Sequence, residues 1–212
     1  MSSNQPTPRR VRMSSAQRRE QLISVARRAF AERGYDATSV EDIAARAKVS
    51  KPVVYEHFGG KEGLYAVVVD REVRSLLDRI THALTGGHPR VLVEQAALAL
   101  LDYIEGDPDG FRVLVRDSPV MSDTGNFSSV LNDVAHQAEG ILGKEFKLRG
   151  FDPKLAELYS QALVGMVALT GRWWLDARKP KKEVVASHLV NLAWNGLSHL
   201  DTTPPHLPSH PS

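Results

Sequence analysis

Between residues 14 and 200 apolar side chains return every three or four positions, the spacing of one helical face. Leu22, Ile23, Ala26, Ala29 and Phe30 form the first such stripe, opposite a face of Arg and Glu, and Gly34 is expected to end that helix in the left-handed conformation. A longer helix over 61–84 carries Leu64, Val67, Val68, Leu76 and Ile80, and stops before Gly86-Gly87. The same spacing predicts helices over 91–105, 109–116, 127–148, 153–178 and 183–200. Valine pairs such as Val53-Val54 and Val67-Val68 sit inside helical periods and define no strand, so the expected fold class is all-α.

The ends of the chain break this pattern. Residues 1–13 are rich in Pro, Ser and Arg and read as a disordered basic arm; residues 201–212 carry four prolines and read as a disordered tail. No repeat is visible, and 212 residues suffice for a sizeable core. The sequence has no cysteine, which excludes disulfides and thiolate metal sites and suits a reducing compartment. The N-terminus lacks the apolar core of a signal peptide, and the most apolar run, residues 162–169, is far shorter than the ~20 residues of a membrane span. A cytoplasmic protein without a membrane partner is the expectation. The eight histidines are dispersed, and the one pair at i, i+4 spacing, His206 and His210, lies in the proline-rich tail, so neither a metal nor a cofactor is expected.

Charge changes the picture more than composition. The net charge is only +2, but residues 1–60 hold eleven Lys or Arg against six Asp or Glu, and the remainder is mildly acidic. A chain so divided suits presentation of one end to phosphates. Within the basic half, residues 38–64 read as two short helices, a tight turn and the start of a third helix. Thr38 or Ser39 can cap the first, with Glu41 or Asp42 three positions on completing a capping box, and a hydroxyl there can also meet a phosphate. Val40, Ile43, Ala44 and Ala47 face inward. Val49 and Ser50 make the turn, with Ser50 as N-cap of the recognition helix, and Pro52 sits in the first turn, where its missing N–H costs nothing. Val54 and Phe58 face the core, which leaves Lys51, Pro52, Val53, Tyr55 and His57 toward a DNA groove. Lys51 can donate to guanine, Pro52 and Val53 can touch thymine methyls, and Tyr55 and His57 suit phosphates. Lys61, after Gly59-Gly60, opens a helix whose free N–H groups could hold another phosphate.

Phe30, Gly34, Tyr35, Thr38, Ser39, Ile43, Ala44, Ala47, Val49, Ser50, Tyr55, His57, Phe58, Lys61 and Leu64 together closely resemble the TetR family of bacterial one-component regulators. The resemblance implies an N-terminal three-helix helix-turn-helix DNA-binding domain (14–60), a connecting helix (61–87) and a helical effector and dimerisation domain (88–200). It implies a homodimer on a palindromic operator of double-stranded DNA, phosphate contacts from Tyr55, His57 and Lys61, and base contacts around Lys51 to Val53. Basic arms reach DNA in some relatives, which adds Arg18 and Arg19. Two positions depart from the common pattern. Lys48 stands where glycine often forms the turn, adding a charge near the DNA at a cost of roughly 1–2 kcal/mol if left-handed, and Pro52 replaces a frequent glycine or alanine.

In the effector half, Leu158, Ala162, Gly165 and Leu169 on one apolar helix and Leu189, Leu192 and Leu197 on the next suit a dimeric four-helix interface, the place the family gives its last two helices. Gly165, Ala168 and Gly171 would let helices approach closely. Tyr103, Phe111, Met121, Phe127, Met166, Trp173 and Trp174 could line a cavity, with Arg116, Asp117 and His136 as polar anchors for an apolar or amphipathic small-molecule effector. The expected function is a repressor released by such a ligand; the alternative is a regulator of the same fold governed by a protein partner or by abundance. No phosphate-cradling loop, nucleophile elbow, metal spacing or paired-carboxylate motif suggests an enzyme.

Overall fold

The computed structural model describes residues 13–115 and 127–201. Among these, nine helices and no strands are found: α1 (Ser15–Arg33), α2 (Val40–Ala47), α3 (Lys51–Phe58), α4 (Lys61–Ala83), α5 (Pro89–Gly106), α6 (Pro108–Val115), α7 (Phe127–Leu148), α8 (Leu155–Ala177) and α9 (Lys182–Ser198). They form two compact units, one ending at Val68 and one beginning at Val69. The expected fold class holds. The arm before residue 13 and the tail after Asp201 lie outside the described residues, as do Arg116, Asp117, Met121 and the Phe127 side chain.

In the first unit the apolar stripe of α1 meets Val40, Ile43, Ala44 and Ala47 of α2, Val54 of α3 and Leu64, Tyr65 and Val68 of α4, all buried. Each large member contributes about 1.5–3 kcal/mol by leaving water. Phe30, Tyr35 and Tyr65 pack as an aromatic cluster, with ring centroids 4.9 Å apart for Phe30–Tyr65 and 4.8 Å for Tyr35–Tyr65. Ser14 caps α1 in a capping box with Gln17. Gly34 ends α1 at φ 80°, ψ 175°. That corrects the expected left-handed helical conformation: the residue is extended at positive φ, a region still more restricted to glycine. The turn between α3 and α4 depends on Gly63, where an added Cβ would stand 2.0 Å from the Phe58 carbonyl oxygen. Only a residue without Cβ lets the first turn of α4 pass there.

In the second unit α5 meets α8 across Gly171, whose Cβ position lies 2.9 Å from Ile104 Cδ1 and 3.1 Å from Leu100 Cδ2. Gly171 thus serves an internal contact, whereas nothing stands within 4 Å of a Cβ at Gly165. The Trp174 indole N–H donates to the Pro180 carbonyl at 2.8 Å. Arg149 donates to the carbonyls of Leu197 and Ser198, closing the end of α9. Lys182 anchors the start of α9 between Asp102 and Glu105 of α5, and its hydrogen bonds to these carboxylates push the ammonium well above its ordinary range. A smaller core joins Leu142 and Phe146 of α7 to Ala156 of α8, with Phe151 and Tyr159 packed against it. Helix boundaries fall within two residues of expectation. Pro153 and Lys154 precede α8 instead of beginning it, because the Asp152 carboxylate accepts the Lys154 N–H at 2.9 Å and holds the chain in a turn.

Candidate nucleic-acid interface

Ser39 caps α2: its hydroxyl accepts the Asp42 N–H at 3.0 Å, and the Asp42 carboxylate reaches back to the Ser39 N–H. Of the alternatives the sequence leaves open, Ser39 and Asp42 therefore form the capping box. This hydrogen bonding, and Arg33 and Arg46 nearby, hold the Asp42 carboxyl below its usual range. Thr38 is placed differently from its expected surface role. It is buried, and its hydroxyl donates to the Gly34 carbonyl at 2.7 Å with the Ala29 carbonyl 3.3 Å away. It closes the end of α1 from inside, where the last carbonyls of a helix need partners from outside it.

At the other end of α2, Lys48 occupies the left-handed region (φ 55°, ψ 45°), and its N–H closes on the Ala44 and Ala45 carbonyls. Lysine is thus exposed at a position glycine would hold more cheaply. Ser50 is the N-cap residue of α3, but its side chain makes no capping bond. Lys51, Pro52 and Tyr55 are exposed; Val53, His57 and Phe58 are half-buried; Val54 is buried. The expected face of α3 is therefore accessible, with Phe58 less enclosed than the sequence pattern implies. Arg19 stacks on the Phe58 ring at 5.0 Å, and Arg18 donates to the Gln21 carboxamide oxygen at 2.6 Å. Gln21 in turn donates to the Ala47 carbonyl at 3.2 Å, tying α1 to the end of α2. Both arginines are half-buried, Arg19 against the last residue of α3 and Arg18 held along α1.

Lys61 folds back onto the α1–α2 loop. Its ammonium donates to the Tyr35 carbonyl at 3.1 Å and lies 4.1 Å from the centre of the Tyr35 ring. Two N–H groups of the ammonium remain for an anion. Burial, then the Glu62 and Asp36 carboxylates, raise the Tyr35 phenol, which stays neutral. One participant was not foreseen. Glu41 pairs with Lys51 across α2 and α3, and the Lys51 ammonium lies 5.7 Å over the Tyr55 ring. The sequence treats Glu41 as a capping residue, a role that Asp42 takes.

A cavity of about 130 Å³ lies within the second unit. Its walls are wholly aliphatic: Leu76 and Ile80 of α4, Leu92 and Ala96 of α5, Val134 and Ala138 of α7, and further Leu, Val, Ile, Ala and Pro side chains of α4, α5, α7, α8 and α9. Lining positions recur from Pro89 to Leu100 and from Leu131 to Leu142. At 1.5 Å per residue each row runs roughly 16 Å along its helix. The residues expected to line it are placed elsewhere. Tyr103 and Phe111 are buried against each other, with centroids 6.4 Å apart, and the Tyr103 hydroxyl donates to the buried Glu72 carboxylate at 2.8 Å. Trp174 is turned to the α8–α9 loop, Trp173 is 55% exposed, Met166 lies outside the lining, and His136 is exposed beside Glu139. Aromatic rings fill space well, so Tyr103, Phe111 and Trp174 build core, and the aliphatic rows leave the gap.

Leu158, Leu169, Trp173, Val184 and Leu192 are large apolar residues exposed on this single chain, with Leu158 at 63% and Leu169 at 67%. On α8, Leu158, Ala162, Gly165, Leu169 and Trp173 fall along one stripe. Two positions expected in that interface point inward: Leu189 is buried and Leu197 lines the cavity, because α9 turns them toward the core. Among the described residues no three His, Asp or Glu side chains converge as a metal site requires, and no helix is long and apolar enough to cross a membrane.

Comparison with known proteins bears on both units. Residues 22–68 match the family model described as "Bacterial regulatory proteins, tetR family", and residues 72–206 match "Tetracyclin repressor-like, C-terminal domain". The chain is 33% identical over 198 residues to the HTH-type transcriptional activator FasR of Mycolicibacterium smegmatis, covering 91% of this chain and 88% of that one. It is 39% identical over 89 residues to the HTH-type transcriptional repressor Rv3405c of Mycobacterium tuberculosis, covering 38% of this chain and 45% of that one. A TetR-like transcriptional regulator from Rhodococcus sp. RHA1 superposes with a TM-score of 0.74 at 26% identity, covering 89% of this chain and all of that one. With both units matched by the family and a full-length relative at this identity, the chain belongs to the TetR family of DNA-binding transcriptional regulators.

Proposed function

We propose that the protein is a repressor that binds a palindromic operator as a homodimer and is released by a small apolar or amphipathic ligand. The accessible face of α3 carries the DNA half of this reading: Lys51, Pro52 and Val53 stand at its N-terminal end, where a recognition helix reaches base edges. Ser39, Lys48, Ser50, Tyr55, His57 and Lys61 surround these as phosphate contacts, and Arg18 and Arg19 add charge toward the DNA, with Arg19 stacked on Phe58 of α3. The exposed stripe on α8, with Val184 and Leu192 of α9, is the dimer surface, since a face this apolar is covered in an isologous pair. Two recognition helices about 34 Å apart then meet successive major grooves.

The aliphatic cavity supports the ligand half. Its walls offer no charge or hydrogen bond, so they select hydrocarbon, and a polar group of the ligand must stay outside them. Binding shifts the population away from the operator-competent separation only if the ligand prefers the other state. This observation favours ligand control over control by abundance alone. Footprinting on upstream DNA tests the reading: a protected palindrome is expected, and its absence at every promoter would sink it. The ligand half is tested with Ala138→Phe, which should abolish release by apolar molecules while leaving operator binding intact.

A further inference from the structure

The N-terminus of α3 breaks two local rules. No acidic residue lies in its first turn and Ser50 makes no capping bond, so the positive end of the helix is left without an anion from its own segment. A cation, Lys51, begins the helix, where the dipole disfavours it. The counter-charge comes instead from α2, as Glu41, whose carboxylate pairs with the Lys51 ammonium. Glu41 is not needed to cap α2, because Asp42 does that. Nor does an exposed pair of this kind add much stability. Rules broken locally and compensated from another element mark functional positions.

We propose that Glu41 is a specificity-determining positioning residue: it holds the Lys51 ammonium at one point above the groove and keeps it from serving as a general phosphate contact. The proposal rests on the reading of α3 as the recognition helix. A free lysine is a point charge on a flexible four-carbon stem that reaches phosphate on any sequence. Tethered between Glu41 and the Tyr55 ring, the ammonium keeps N–H groups for a base acceptor in one register and is withheld from most phosphates. Hydrogen bonding to Lys51 holds the Glu41 carboxyl below its ordinary range, and the same bond raises Lys51, so both stay charged near neutrality.

The test compares Glu41→Gln with the wild-type protein on two duplexes: one recovered from a random pool by the wild type, and one of scrambled sequence. Affinity for the scrambled duplex should rise about 3–10-fold, with a salt dependence steeper by about one counterion per subunit. The matched duplex should change less, so the ratio of the two affinities falls. In a Lys51→Met background, Glu41→Gln should lose its effect on scrambled DNA. Persistence of the effect there would overturn the proposal, because Glu41 would then act on phosphates directly. An equal change on both duplexes, or none, would overturn it as well. Glu41→Asp, which keeps the carboxylate, should restore much of the discrimination. Failure of the wild type to select any duplex would instead overturn the DNA reading itself, a result visible before any variant is made.

Discussion

The two units of this chain spend their side chains in opposite ways. In the first, the proposed recognition residues are exposed or half-buried, most of them polar or basic, and gathered in a stretch running from Ser39 to Lys61, while the core beneath them is small and local. In the second, the candidate ligand site is a gap, and its walls come from five helices spread over more than a hundred positions, with no polar side chain among them. A surface that reads DNA needs particular groups at particular offsets along one helix. A cavity needs only that rows of aliphatic residues fail to fill the space between them, which many sequences satisfy.

The sharpest way to break the contrast is at Gly63. Gly63→Ala drives a Cβ into a backbone carbonyl that cannot move aside, and should destabilise the first unit by about 3 kcal/mol or more, read as a fall in the urea midpoint by circular dichroism. An unchanged midpoint would show that the α3–α4 junction tolerates displacement. Next in size, Leu169→Asp should weaken self-association at least 100-fold, roughly 2.7 kcal/mol, in sedimentation equilibrium while the protomer stays folded. Undiminished dimerisation would move the interface off α8. Tyr103→Phe removes the hydrogen bond to buried Glu72 and should cost about 1–2 kcal/mol in thermal denaturation, with operator contacts untouched. Smaller effects of opposite sign sharpen the comparison. Lys48→Gly should stabilise by about 1 kcal/mol by relieving the left-handed lysine, yet flatten the salt dependence of DNA binding. Gly140→Ala, in open space on α7, should add about 0.5–1 kcal/mol and change no binding property.

Helix content and boundaries were legible because a 3.6-residue period is local and repeats along the chain. The helix-turn-helix was legible because its caps, small residues and basic positions fall within some thirty-five consecutive residues. What escaped depends on facing. Thr38 has the hydroxyl of a phosphate contact but is turned under the end of α1. Tyr103, Phe111 and Trp174 have the rings of a pocket but fill the core. Leu189 and Leu197 share the period of an interface yet face inward. Gly63 carried a signal that could have been used, since a glycine inside a helical pattern points to a close approach.

By itself the sequence determined the all-α class, the order of the helices and the segment that grips DNA, because each follows from spacing between near neighbours. Only the tertiary structure decided which aliphatic rows enclose the cavity, which stripe of α8 stays uncovered, and that Glu41 of α2 meets Lys51 of α3. Those outcomes depend on how helices rotate against one another as their side chains interdigitate, and that rotation is set by contacts between residues far apart in the chain.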